Sequence, residues 1–252
     1  MMMWLFAIVL GLVILAGILY LLGNYTFWLP YRAKHLPRIV MLHQVNPHVE
    51  ASGMNMPPEK FEQFLQLLVK RNSTFSFVAD LDQHVNQPHV VALSFDDGFL
   101  DNYQYAYPLL KKYNAKATIY LATHIEGIET LQPEHIQEML ASGLIQFGAH
   151  TQHHVNLLKL EDAVAFNEIQ QSKQDVERLA GTCYSFAYPF GRFDARHEDM
   201  VEQLGFVNAV STRKKIEKIS NSNRFSIPRV STHGKMNRMQ MQIALAKGRY
   251  KL

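Results

Sequence analysis

Two adjacent carboxylates are the first residues of this sequence that could do chemistry. Asp96 and Asp97 end the apolar run 90–95, and Gly98 follows them. An isolated Asp-Asp-Gly is typical of a helix cap or turn with a solvated neighbour. Two neighbouring carboxylates can also take different roles, one binding a cation and the other accepting a proton, when their environments differ. Histidines elsewhere in the chain favour the second interpretation.

Those histidines lie in the segment GAHTQHHVNL. His150 and His154 are four residues apart, so on a helical turn both rings would lie on one face. His153 would point elsewhere, and its pairing with His150 is the less favoured alternative. Neutral imidazoles bind divalent ions, and a carboxylate from another strand would complete a facial set with open coordination positions. The combination predicts a metal-dependent hydrolase in which the ion activates water and polarises a carbonyl.

Alternating strands and helices are predicted to position these residues. Apolar segments predicted as strands are separated by amphipathic segments predicted as helices; the strands include RIVMLHQV, HVVALSF, KATIYLAT and IQFGAH. Near-continuous apolar strands are typical of buried parallel sheets, so we expect a parallel α/β barrel or open sheet. In either fold the site forms at the carboxyl ends of the strands. Asp96, Asp97 and His150 fall at such ends, with His43 and His233 after other apolar segments.

The N-terminal segment predicts a membrane anchor. Residues 1–23 carry no charged side chain and are long enough to span a bilayer. Aromatic residues and then Arg32, Lys34 and Arg38 follow, whereas no basic residue precedes the segment. We therefore expect a transmembrane anchor (1–23), a juxtamembrane linker (24–37) and a catalytic domain (38–252). The positive-inside tendency predicts a single-pass plasma membrane protein with a cytoplasmic domain.

Composition excludes several other classes. The 252 residues carry a formal net charge of +3 with no long block of like charge, so a nucleic-acid partner is not expected. A hydrophobic content of 48% suits one large domain. Cys183 is the single cysteine, which excludes an intramolecular disulfide and a cysteine-based zinc cluster.

Three segments carry a family resemblance. LSFDDGFLDNY, HTQHHVNL and FAYPFGRFD, in this order, resemble the polysaccharide deacetylase family, also known as the NodB-homology or carbohydrate esterase 4 group. The resemblance extends from about Ile39 to about His233. It implies a distorted (β/α) barrel and metal-dependent hydrolysis of an acetyl group, usually N-acetyl, from a sugar. The divalent ion it implies is most often zinc.

The resemblance also implies roles for individual residues. Asp96 would be the general base, and the metal ligands would be Asp97, His150 and His154. His233 would be the general acid that protonates the leaving amine. The segment of Tyr188, Pro189 and Phe190 would form the wall of the acetyl pocket, with the Phe190 N–H binding the oxyanion.

Two departures from the family pattern leave alternatives open. Many members have an arginine that pairs with the catalytic aspartate where this chain has Ala187, and Arg192 or Arg229 would have to replace it. The match of His233 to the family's histidine motif is loose, and His43 is an alternative residue at the rim.

The anchor and the site together predict the substrate. A domain held at the inner leaflet would meet lipid-linked sugars at high local concentration. We therefore expect removal of an N-acetyl group from an N-acetylhexosamine of a bacterial glycan or a lipid-linked sugar, of the lipid A or polyprenyl-phosphate type. The alternatives are an exported poly-N-acetylglucosamine or peptidoglycan, an inactive glycan-binding relative, and a hydrolase of another acyl group.

Overall fold

Seven parallel strands close into a barrel in the computed structural model, which describes residues 2–84 and 86–251. Met1, Val85 and Leu252, which belong to the predicted segments 1–23 and 38–252, lie outside the described residues. The barrel strands are β1 (Arg38–Leu42), β3 (Val90–Phe95), β4 (Ala117–Leu121), β5 (Ile145–Ala149), β6 (Ser185–Ala187), β7 (Asn208–Lys214) and β8 (Ile227–Ser231). Each pairs with the next, and β1 pairs with both β3 and β8, which closes the barrel. The predicted distorted (β/α) barrel is confirmed.

Helices cover the outside of the barrel. They are α2 (Pro58–Lys70), α3 (Tyr107–Lys112), α4 (Pro133–Ala141), α5 (Asp162–Ala180), α6 (Ala195–Gln203) and α7 (Arg238–Lys247). The short strand β2 (Thr74–Phe75) pairs with the start of β3. One turn of π-helix, Asn102–Ala106, precedes α3. The sequence patterns predicted α2 to α6 but not α7.

The strands bury a different set of residues on each face. Only a small apolar cluster lies inside the barrel; its described members include Ile39, Ala92, Tyr120, Ala187 and Val210. A larger apolar layer packs between the strands and the helices. Because side chains alternate along a strand, Ser94 and Asp96 share the inner face with Ala92. Polar groups therefore fill the barrel interior at the carboxyl ends of the strands.

The segment that follows the N-terminal helix α1 (Met2–Asn24) packs on the domain. Thr26 donates from its backbone N–H to the Tyr250 carbonyl at 2.9 Å and from its hydroxyl to the Arg249 carbonyl at 2.7 Å. The Lys247 ammonium donates to the Phe27 carbonyl at 2.7 Å. The predicted linker is thus held against the end of α7. Helix α1 itself, with a mean hydropathy of 2.9 in its most apolar window, has the length and composition of a membrane span or a signal sequence.

Candidate active site

The turn after β3 positions both aspartates. Asp97 and Gly98 have φ angles of 75° and 74°, in the left-handed region that favours glycine. A Cβ on Gly98 would lie 2.7 Å from Leu121 Cδ2, so a larger residue would force the Leu121 side chain to shift in addition to the strained φ. This tight turn lets Asp96 continue into the barrel while Asp97 faces the loop after β5.

Asp97 and two histidines form one compact cluster. Asp97 Oδ1 lies 3.5 Å from His150 Nε2 and 3.2 Å from His154 Nε2. The three ligand atoms all lie within 4.8 Å of one another, which is close enough to share one ion. The structure therefore brings together the three residues expected to bind a metal, although their role as ligands stays a prediction.

The hydrogen bonds around this cluster fit a divalent cation. His150 Nδ1 donates to the Ala187 carbonyl at 2.6 Å, which aims the Nε2 atom at Asp97. Burial and the proximity of His150 lower the pKa of His154 to about 4, so this imidazole is neutral at pH 7. One carboxylate and two imidazoles are a donor set that suits zinc and similar ions.

Burial opposes charge on Asp97 and His150, but their contact outweighs burial. The pKa of Asp97 is lowered and that of His150 is raised, because each stabilises the charged form of the other. Without an ion, this contact therefore favours the charged form of both residues. A cation bound between them would replace the proton on His150 Nε2.

The loop that carries the histidines is irregular, so the expectation of a helical turn was wrong. Thr151 and His154 have φ angles of 57° and 54°, a conformation that β-branched and bulky residues adopt at a cost. Glu168 of α5 holds this loop by accepting hydrogen bonds from the Gln152 and His153 N–H groups, both at 3.1 Å. His153 also bonds to Glu168 at 2.7 Å and lies outside the cluster.

Asp96 is held by Arg229 of β8. Two nearly parallel bonds of 2.7 Å join the guanidinium to the carboxylate, and both residues are at most 2% exposed. Arg229 also donates to the Ser211 carbonyl and the Ser94 hydroxyl, which fixes its plane. Burial would raise the pKa of Asp96, but the ion pair outweighs it and holds the pKa well below its usual value.

Arg229 thus occupies the role for which the sequence left two residues open. Arg192 is exposed, and no hydrogen bond joins it to Asp96 within the described residues. Ala187 belongs to the small side chains of the barrel interior, into which Arg229 also points. Side-chain alternation along IPRVS could have predicted that Arg229 faces the barrel interior, because it places Arg229 on the same face as the apolar Ile227.

His43 is a third histidine of the site and lies beside Asp96. Its Nε2 atom lies 3.8 Å from Asp96 Oδ2, and its side chain is 16% exposed. Asn102 donates to the His43 carbonyl at 2.8 Å, and Asp101 accepts from the Val45 N–H at 3.0 Å. The start of the π-helical turn therefore holds the end of β1 in place. Burial lowers the pKa of His43, so its neutral form is favoured.

His233 lies away from the cluster. Its Nε2 atom bonds to the Tyr250 hydroxyl at 3.1 Å, and the Lys235 N–H donates to its Nδ1 at 3.3 Å. In residues 2–84 and 86–251 no hydrogen bond or ion pair joins it to Asp96 or Asp97. The structure therefore places His43, and not His233, next to the predicted general base.

The third predicted segment contributes one side chain to the site. The Phe190 ring lies 4.5 Å from the His154 ring, edge to face, and is 58% exposed. The Tyr188 side chain is fully buried and stacks on Phe193 at 3.9 Å, and its part in the wall of the acetyl pocket stays a prediction. Pro189 is also buried. Phe190 has a φ of 57°, and its N–H donates to no acceptor within the described part of the chain.

Solved structures share this fold. The chain matches the Streptococcus pyogenes deacetylase PplD in complex with acetate with a TM-score of 0.75 and 24% identity, covering 84% of this chain and 99% of that one. It matches the structure of IcaB from Ammonifex degensii with a TM-score of 0.72 and 22% identity, covering 84% and 96%. These identities establish the fold alone.

Two curated proteins are similar to this chain in sequence. The chain is 28% identical to the putative polysaccharide deacetylase YxkH of Bacillus subtilis, over 69% of this chain and 63% of that protein. It is 26% identical to the poly-beta-1,6-N-acetyl-D-glucosamine N-deacetylase of Staphylococcus aureus, over 56% of this chain and 53% of that protein. The chain thus spans less than two thirds of either relative.

The family model described as polysaccharide deacetylase matches residues 83–209, half of the chain. This range contains Asp96, Asp97, His150 and His154, and ends in β7. The chain therefore belongs to the polysaccharide deacetylase family.

Proposed function

We propose that this protein is a metal-dependent hydrolase that removes the N-acetyl group from N-acetylhexosamine units of a glycan. One observation carries the proposal: the Asp97, His150 and His154 cluster lies at the same rim as a buried aspartate that is paired with arginine. A scaffold or a glycan-binding module has no need of a carboxylate held ionised beside a set of metal ligands.

Asp97, His150 and His154 would hold the ion, which supplies Lewis acidity for a carbonyl and lowers the pKa of water. Asp96 accepts the proton of the attacking water, since its ion pair with Arg229 keeps it deprotonated at neutral pH. His43 is favoured in its neutral form and lies 3.8 Å from Asp96, so it receives the water's proton from Asp96 and then, as general acid, delivers it to the leaving amine. Acetate and the amino sugar are the products.

Phe190 supplies the oxyanion contact in this proposal. Its N–H is free of acceptors among the described residues and so remains available to a substrate oxygen. A preorganised backbone donor stabilises charge that develops on the carbonyl oxygen. The exposed Phe190 ring beside His154 would pack against the acetyl methyl or the sugar ring.

The substrate that we favour is a β-linked N-acetylglucosamine polymer. The name of the Staphylococcus aureus relative, poly-beta-1,6-N-acetyl-D-glucosamine N-deacetylase, supports this choice. A lipid-linked amino sugar is the second candidate, and the apolar helix α1 favours it, because a retained anchor would hold the site near the bilayer. The lipid-linked candidate requires a cytoplasmic domain, whereas the polymer requires an exported domain.

Acetate release tests the reaction. Purified protein, loaded with zinc or cobalt, is expected to release acetate from β-1,6-linked N-acetylglucosamine oligomers, and chelation is expected to abolish this release reversibly. His43→Ala is expected to lower kcat by about a hundredfold or more, as loss of a general acid does. His233→Ala is the matched control and is expected to change kcat little. Metal-loaded protein that releases no acetate from any N-acetylated sugar would refute the proposal.

A topology reporter separates the two substrates. Alkaline phosphatase or a fluorescent protein fused after residue 252 reports on which side of the membrane the domain lies. An external domain supports the exported polymer and excludes the lipid-linked cytoplasmic substrate. A cytoplasmic domain has the opposite consequence.

A further inference from the structure

A cavity lies at the carboxyl end of the barrel, and its lining contains none of Asp97, His150 and His154. It has a volume of about 120 Å³, and Lys214 at the end of β7 and Ser231 at the end of β8 lie in its wall. His233 and the segment after α7 complete the lining, with Arg249, Tyr250 and Lys251. Ser231 lies two residues after Arg229, so the cavity and the Asp96 ion pair share one strand.

The positive charges of this cavity have no carboxylate partner among the described residues. Lys214, Arg249 and Lys251 form no ion pair with any carboxylate in residues 2–84 and 86–251. The neighbouring Lys215, by contrast, pairs with Glu217. Burial and the nearby lysines lower the pKa of His233 to about 4, which is consistent with a positive potential at this point.

The hydrogen bonds around His233 leave a free donor on Tyr250, a residue that lines this cavity. The Lys235 N–H can only donate, so His233 Nδ1 accepts and its Nε2 carries the proton. His233 Nε2 then donates to the Tyr250 hydroxyl at 3.1 Å. The Tyr250 hydroxyl therefore accepts this bond and retains its own proton for another acceptor. The Ser231 hydroxyl has no hydrogen-bond partner among the described residues and is a second such donor.

We propose that this cavity binds an oxyanion of the phosphate type. Three cationic side chains and two hydroxyl donors around one small volume suit a compact, multiply charged group with several acceptor oxygens. Thr26 bonds directly to Arg249 and Tyr250, so the cavity adjoins the segment that leads to helix α1. The phosphate could be a lipid headgroup or a phosphate on a soluble molecule such as the glycan, and both present the same chemistry.

Binding of inorganic phosphate to the full-length, zinc-loaded protein in detergent tests the site, with ³¹P NMR and calorimetry as readouts. Lys214→Ala and Lys251→Ala are each expected to weaken phosphate binding about fivefold, the effect of removing one partly exposed cation. Lys215→Ala is the matched control and is expected to leave the affinity unchanged. The His154→Ala variant removes any phosphate bound at the metal cluster and is expected to retain the cavity site.

Two lipid environments distinguish the source of the phosphate. The full chain is placed in phosphatidylcholine discs with or without phosphatidic acid, and its affinity for inorganic phosphate is measured. A headgroup ligand predicts weaker phosphate binding in the phosphatidic acid discs through competition, whereas a soluble ligand predicts equal affinity. Equal affinity of wild type, Lys214→Ala and Lys251→Ala would overturn the proposal. Phosphate binding does not require acetate release. A protein that releases no acetate could therefore still bind phosphate in this cavity, and the two proposals are tested independently.

Discussion

The ion pair between Arg229 and Asp96 makes a quantitative prediction possible. Arg229→Met keeps an unbranched side chain but removes the guanidinium, which leaves Asp96 buried without a counter-charge. Two unit charges about 4 Å apart interact by about 4 kcal/mol at an effective dielectric constant of 20. Loss of one partner of a buried pair typically costs about 3 to 5 kcal/mol. We expect Arg229→Met to lower the free energy of unfolding by about 4 kcal/mol, because both residues are at most 2% exposed.

Thermal unfolding monitored by far-UV circular dichroism measures this effect. For a domain of this size about 4 kcal/mol corresponds to a decrease in Tm of about 8 to 16 °C. Arg224→Met is the matched control, because Arg224 pairs with Asp82 at the surface with side chains 31% and 49% exposed. Its expected cost is below about 1 kcal/mol. If Arg229→Met destabilises the protein no more than Arg224→Met, the account of Asp96 is wrong.

The pH dependence of the difference gives a second check. The pKa of Asp96 is lowered in the folded protein, so the ion pair stabilises the fold fully above the unfolded pKa of about 3.9. This contribution is lost as pH falls through the folded pKa. The stability difference between wild type and Arg229→Met should therefore shrink below about pH 4. Asp96→Asn in the Arg229→Met background should recover at least about 1 kcal/mol, because it removes the unpaired charge.

Other predictions concern the cluster and its turn. Asp97→Asn should abolish stoichiometric zinc binding, measured by elemental analysis after dialysis, whereas His153→Ala, outside the cluster, should retain one zinc per chain. Zinc retained by Asp97→Asn would contradict the ligand assignment. Gly98→Ala should cost about 1 to 3 kcal/mol in thermal unfolding through its positive φ and contact with Leu121, whereas Gly53→Ala, with no neighbour within 4 Å, should cost less. Equal costs would show that the turn tolerates a side chain.

Local patterns in the sequence predicted most of the barrel. Continuous apolar strands and amphipathic helices alternate from β1 to β7, and each local pattern agrees with the barrel. The patterns did not predict α7, because its apolar residues are spread around the helix, where Met241, Ile243, Ala244 and Leu245 are all buried. They also predicted a helical turn at His150 to His154, because a spacing of four residues does not reveal a positive φ at Thr151.

Residue type and order by themselves predicted which residues would form the candidate site. Asp96, Asp97, His150 and His154 were identifiable because two carboxylates and a histidine pair occur together at predicted strand ends, and parallel strands bring their carboxyl ends together. Only the tertiary structure decided which residues distant in sequence lie beside these four side chains. Arg229 reaches Asp96 across 133 positions of sequence, and His43, not His233, lies beside it. Such partners depend on strand order and on barrel closure, which bring remote residues into contact and which no local pattern records.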